Sequence, residues 1–180
     1  MSTRLSPVVW GAVGLLMVVA TVLPIYLALV ERQSADAAVA RLTPIDRLRN
    51  EILDQSFGRP GDPNLDLLYA QVNARHFSNE LPPIAVRWEP RLAEIDALEN
   101  DGGEHHGLFG ARGDRAVILL RPSLRDDRPA LIRALCHEMA HAYLFRGGED
   151  SARHGPAFDA VLRRLALEGA FDGAFDGGRR

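Results

Sequence analysis

The chain has 180 residues, with 21 basic side chains, all of them arginine, against 24 acidic ones and a net charge of −3. That length suffices for one domain with a real core, and the acidic balance argues against a nucleic-acid partner, which normally meets a basic surface. A single cysteine, Cys136, excludes an internal disulfide.

Taken in order, residues 1–7 form a short start and residues 8–30 run for 23 positions without a charged side chain. About 20 apolar residues span the hydrocarbon core of a bilayer. Trp10 and Tyr26 lie near the ends, where aromatic residues favour the interface. The run exceeds the apolar core of a cleaved signal peptide. One transmembrane helix is therefore expected at 8–30, with single-pass membrane localisation. Arg4 before the run and Arg32, Arg41, Arg47 and Arg49 after it pull the orientation opposite ways. The very short amino terminus tips the expectation towards a domain outside the cytoplasm.

Residues 31–63 read as stalk and linker. A helix is expected from Glu31 to Leu42. Thr43 then caps a second helix opened by Pro44, with Ile45, Leu48 and Ile52 on one face. The Gly58–Pro63 stretch is rich in glycine and proline, and the main domain is expected over 64–168. Within it a helix to Phe77 leads to a strand at Ile84–Trp88. Two more strands are expected at His106–Ala111 and Ala116–Leu120, joined by a turn at Arg112-Gly113-Asp114. Asp101 to His106 is a polar loop. Asn73, in mid-helix, and Cys136 are read as structural. Residues 169–180, with their doubled Ala-Phe-Asp-Gly, make a flexible tail.

The next helix carries the chemistry. Asp126 or Asp127 caps it, Pro129 sits in its first turn, and Gly147-Gly148 ends it. Leu131, Ile132, Leu135, Met139, Tyr143 and Leu144 recur at roughly helical spacing. On a neighbouring face stand His137, Glu138 and His141, an H-E-x-x-H sequence. Two histidines four apart on a helix differ by about 40° around the axis, so both imidazoles can reach one zinc ion. Glu138 then lies beside the metal as a potential general base. A catalytic zinc needs a third protein ligand and an open position. Six residues after His141 stands Gly147, which cannot serve. Glu149 lies in a turn and Glu168 near the end of the last helix. His154, at the entrance of a helix running through Phe158, Val161, Leu162 and Leu165, is the best candidate.

The run His137–Phe145, followed by His154-Gly155-Pro156-Ala157-Phe158, resembles the SprT-like, or Spartan-type, zinc metalloproteases. Upstream, Leu68–Phe77, Leu81-Pro82 and Val86-Arg87-Trp88 are similar to that family's opening helix and first strand, so the likeness covers about Asn64 to Leu167. It implies a small zincin-like α+β domain, a short β-sheet packed on helices, here preceded by the expected transmembrane helix. It also implies Zn²⁺ held by His137, His141 and His154, with Glu138 as the catalytic base. The chain departs from that pattern in having no cysteine-rich ribbon, no basic tail and an apolar amino-terminal run.

The expected function is a membrane-anchored zinc metalloendopeptidase acting on protein or peptide substrates. Zinc polarises the scissile carbonyl and acidifies its bound water, and Glu138 takes the water proton and passes it to the leaving amine. Two rivals stand beside it: a zinc-binding module without turnover, and a DNA-associated protease of the Spartan type.

Overall fold

The computed structural model describes residues 23–25, 27–28, 42–99, 106–148 and 154–171. The chain divides into two compact units, Met1–Arg47 and Leu48–Arg180. Thr43 caps helix α1 (Pro44–Ser56), as expected; the boundary between the units falls within this helix. The Thr43 hydroxyl accepts from the Asp46 N–H at 3.1 Å, and the Asp46 carboxylate accepts from the Thr43 N–H at 3.2 Å. This reciprocal box satisfies two of the N–H groups that every helix start leaves without partners.

The amino-terminal expectation is corrected. No helix among the described residues is long and apolar enough to cross a membrane. Of the run 8–30, only 23–25 and 27–28 are described, as helix, and the other positions lie outside the described residues. Five helical positions at about 1.5 Å each are far short of a hydrocarbon core about 30 Å thick. An uncharged run reports hydropathy, not the continuous helix that spanning requires. The transmembrane helix does not belong to the observed fold, and single-pass membrane localisation does not follow from it. The expected stalk at 31–41, the polar loop at 101–105, Glu149 and the tail beyond Phe171 also lie outside the described residues.

In the second unit the order continues with α2 (Pro63–His76), β1 (Ala85–Trp88), α3 (Leu92–Glu99), β2 (Gly107–Arg112), β3 (Arg115–Leu120), a 3₁₀ turn at Pro122–Leu124, α4 (Arg128–Arg146) and α5 (Pro156–Leu167). The three strands lie in the order β1-β3-β2, with β1 parallel and β2 antiparallel to β3. An α+β fold with a small sheet on helices is thus observed. The middle strand has an unbroken buried run, Val117-Ile118-Leu119-Leu120, as expected of a strand covered on both faces. The β2–β3 turn is tight, and Gly113 supplies its positive φ of 61°.

Helix α4 is the centre of the core. Asp127 caps it, accepting from the Ala130 N–H at 2.9 Å. Leu131, Leu135, Cys136, Met139 and Leu144 are buried against Leu68, Val72, Ile118, Leu120, Phe158 and Leu165. Truncating a fully buried Leu135 or Met139 to alanine would cost about 2–5 kcal/mol. Helix α2 is capped by Asp62, whose carboxylate accepts from the Asn64 N–H at 2.9 Å, so the stretch read as linker ends in a helix cap. Buried Asn73 brackets Leu81: its Nδ2 donates to the Leu81 carbonyl at 2.9 Å and its Oδ1 accepts from the Leu81 N–H at 3.3 Å. That bond holds a turn in which Ser78 and Asn79 both adopt positive φ, and it explains an asparagine in mid-helix.

Candidate active site

Helix α4 presents His137 and His141 one turn apart, and the Gly155-Pro156 entry to α5 brings His154 to face them. One nitrogen from each of the three imidazoles can be chosen so that all lie within 4.8 Å of one another. The Nε2 atoms of His141 and His154 are 3.2 Å apart. Two imidazole nitrogens sharing a tetrahedral zinc at about 2.0–2.1 Å would stand roughly 3.3 Å apart, so the donor set fits the ion. Three nitrogen donors with no thiolate leave a fourth position for water, the pattern of a catalytic rather than a structural zinc.

Phe158, buried on the first turn of α5, backs the triad. Its ring centroid lies 4.9, 4.4 and 4.6 Å from those of His137, His141 and His154. One rigid aromatic thus limits the rotation of all three imidazoles. Burial, and then the neighbouring His141 and His154, push His137 down to about 4, which keeps it neutral and able to ligate at neutral pH.

Glu138 is buried, with only 5% of its surface exposed. Burial pushes its carboxyl up to about 8, and a hydrogen bond from the Phe109 backbone N–H pulls the other way. A base poised near neutral pH can both take and return a proton. Space for it comes from Gly107: a Cβ there would stand 2.7 Å from both Cγ and Oε1 of Glu138. Cys136, beside the first ligand, is fully buried and pushed up to about 12 by burial, so it is a core thiol as the sequence indicated.

The cleft over these residues has a volume of about 320 Å³ and is walled by strand β2. The pair Arg112↔Arg115 closes a two-residue turn. Alternation along an antiparallel ladder then directs the backbone groups of Leu108, Gly110 and Arg112 towards β3, and those of Gly107, Phe109 and Ala111 away from it. The bond from Arg121 N–H to the His106 carbonyl, 3.0 Å, continues the same alternation. Gly107, Phe109 and Ala111, which carry the free edge, all line the cleft.

Glu168, weighed as a ligand from the sequence, is engaged elsewhere: it lies 3.3 Å from His76 Nδ1 and 2.9 Å from Arg164. Sequence reasoning missed three participants. Phe158 was read as a helix-face residue and as part of the family-like run, not as a ring packed on the three histidines. Gly107 had no distinguishing signal. Arg49, which also lines the cleft, did have one: it stands four residues after Ile45 and three before Ile52, on the apolar stripe of α1.

A family model described as the SprT-like family matches residues 65–172. The DNA-dependent metalloprotease dvc-1 of Caenorhabditis elegans is 36% identical over 127 residues, covering 67% of this chain and 33% of that protein. The DNA-dependent metalloprotease SPRTN of Homo sapiens is 35% identical over 114 residues, covering 60% of this chain and 22% of the relative. SPRTN of Danio rerio is 33% identical over 121 residues. The chain thus spans about a third or less of the length of these relatives. The three histidines form a group that could hold a metal ion beside an H-E-x-x-H glutamate, and by the family match over more than half of its length the chain belongs to the SprT-like family.

Proposed function

We propose that this chain is a zinc-dependent metalloendopeptidase in which His137, His141 and His154 hold the ion and Glu138 is the general base. The convergence of three imidazole nitrogens beside one buried carboxyl carries the reading. When bound, zinc supplies a Lewis acid for the scissile carbonyl and lowers the pKa of its water towards about 7. Glu138 takes the proton of the attacking water and delivers it to the nitrogen of the leaving amine. Its burial removes competing solvent, and the Phe109 N–H orients it. The free edge of β2 accepts an extended peptide by strand pairing, through the outward backbone groups of Gly107 and Ala111. Main-chain pairing of that kind reads little side-chain identity, so an unfolded or flexible protein segment is the expected substrate. The test is mass spectrometry of an unfolded protein incubated with the zinc-loaded chain. Internal cuts that chelation abolishes are expected; trimming from one end only would contradict an endopeptidase.

A second reading is favoured by the relatives, whose names call them DNA-dependent metalloproteases. In it, cleavage by this chain is stimulated by DNA. The net charge counted against a nucleic-acid partner, but a whole-chain sum does not describe any one surface. Cleavage rates with and without single-stranded DNA separate the two: stimulation that fades with added salt supports DNA dependence, and an unchanged rate removes it.

A further inference from the structure

Helix α1 precedes the family-matched stretch, which begins at residue 65, yet it contributes to the catalytic cleft. Its residues from Leu48 onward are fastened to the domain at three places. Leu53 lies over Gly110 of β2, where a Cβ would collide with its side chain. Asp54 pairs with Arg112 of the same strand. Glu51 and Gln55 accept from Arg91, at 3.0 and 3.2 Å. Ile52 and Ser56 are buried beneath the helix. Arg49 stands on this inward face, half-buried, and lines the cleft together with Glu138 and the three histidines.

Apart from ligands and base, the described lining of the cleft consists of glycine and apolar side chains such as Leu108, Phe109 and Phe145, with Arg49 as the exception. Peptide hydrolysis needs a donor there. Water adds to the carbonyl carbon and loses its proton to Glu138, while the carbonyl π pair moves onto oxygen. When the tetrahedral species collapses, that pair re-forms the carbonyl, the C–N bond breaks, and Glu138 returns the proton to nitrogen. Fixed donors aimed at the oxygen stabilise the charge it gains only in the transition state.

We propose that Arg49 is a catalytic residue of this site: its guanidinium donates hydrogen bonds to the scissile carbonyl oxygen and holds the negative charge that develops on it. A guanidinium is always protonated and offers a planar fork of donors. The docking of α1 pre-positions it, so little reorganisation accompanies the reaction. The proposal rests on the metalloprotease reading above.

The test uses the full zinc-loaded chain with Arg49→Met, which keeps the aliphatic stem, Arg49→Lys, which keeps the charge, and Glu138→Gln. Two probes need no turnover: a phosphinic peptide, which presents a tetrahedral anion, and a hydroxamate peptide of matched sequence, which depends chiefly on the metal. Arg49→Met should keep its zinc and bind the hydroxamate within about twofold of wild type, yet bind the phosphinic peptide about 10²-fold more weakly. Its kcat should fall by about 10²–10³ with little change in KM. Arg49→Lys should fall between. Equal binding of the phosphinic peptide by wild type and Arg49→Met, or an equal loss for both probes, would overturn the role of Arg49 while leaving the metal site intact. A wild type that binds neither probe, or a Glu138→Gln protein that cleaves normally, would overturn the metalloprotease reading and Arg49 with it.

Discussion

At the scale of single residues, the site depends on groups whose surroundings fix their chemical state. His137 is held neutral by burial and Glu138 is poised near neutrality by the same cause, which suits the proposed roles of ligand and base. Replacing His154 with alanine should abolish most zinc binding, whereas Glu168→Gln should leave it unchanged; elemental analysis of the two purified proteins decides between them as third ligand. Gly107→Ala tests the base without touching it. The added Cβ must displace Glu138, so zinc should stay while proteolysis falls, by about 10²-fold for a shift near 1 Å. Unchanged cleavage by that variant would show that the carboxyl has more freedom than its packing indicates. His137, Glu138 and His141 could be picked out because a short local spacing on one helix groups them, and His154, which precedes the next helix, comes to lie with the two histidines. Gly107 was not legible, since its role is a gap that exists only once β2 crosses α4.

At the scale of elements, capping residues and turns announced most boundaries. Thr43, Asp127 and Gly113 each do locally what their residue types do in isolation. Helix α3 was not anticipated. It has only eight residues, and its core contacts come from two of them, Leu92 and Ile95, too few to show a period. Its Arg121–Asp96 tie, 2.6 Å and largely shielded from solvent, joins it to the end of β3. Beyond the carboxyl end of α5, Glu168 is held below the usual carboxylate range, first by its hydrogen bond with Arg164 and then by His76. A depressed carboxylate contributes stability above its unfolded pKa and loses it as pH falls through the folded value. The melting-temperature gap between wild type and Glu168→Gln should therefore be present above the ordinary glutamate value of about 4.3, shrink below it and close as pH falls through the lower folded value. The group is exposed, so the gap should be small; a gap that widens on acidification would contradict the pairing.

At the scale of the whole molecule, the sequence was persuasive in one place where the structure is not. The run 8–30 satisfies a hydropathy rule, but hydropathy measures composition alone, and among the described residues no helix is both long and apolar enough to cross a membrane. The charge balance likewise spoke only of a sum. The α+β arrangement and, helix α3 apart, the order of its strands and helices followed more directly, because separated motifs in a fixed order constrain topology as single residues cannot. Helix α1 extends the cleft beyond the family-matched stretch, and the collision waiting at Gly110 makes its seating testable. Gly110→Ala should dislodge Leu53, lower the melting temperature and reduce cleavage while leaving zinc content unchanged.

The central claim is that zinc binding and proteolysis share one site but use different residues of it. Its most direct test compares wild type with Glu138→Gln for zinc content and for the rate of cleavage of an unfolded protein. Glutamine is nearly isosteric and cannot accept the proton of the attacking water. Equal zinc in both proteins and a rate lowered by about 10²–10⁴-fold are expected. A Glu138→Gln protein that cleaves as fast as wild type, at equal zinc, would contradict the account.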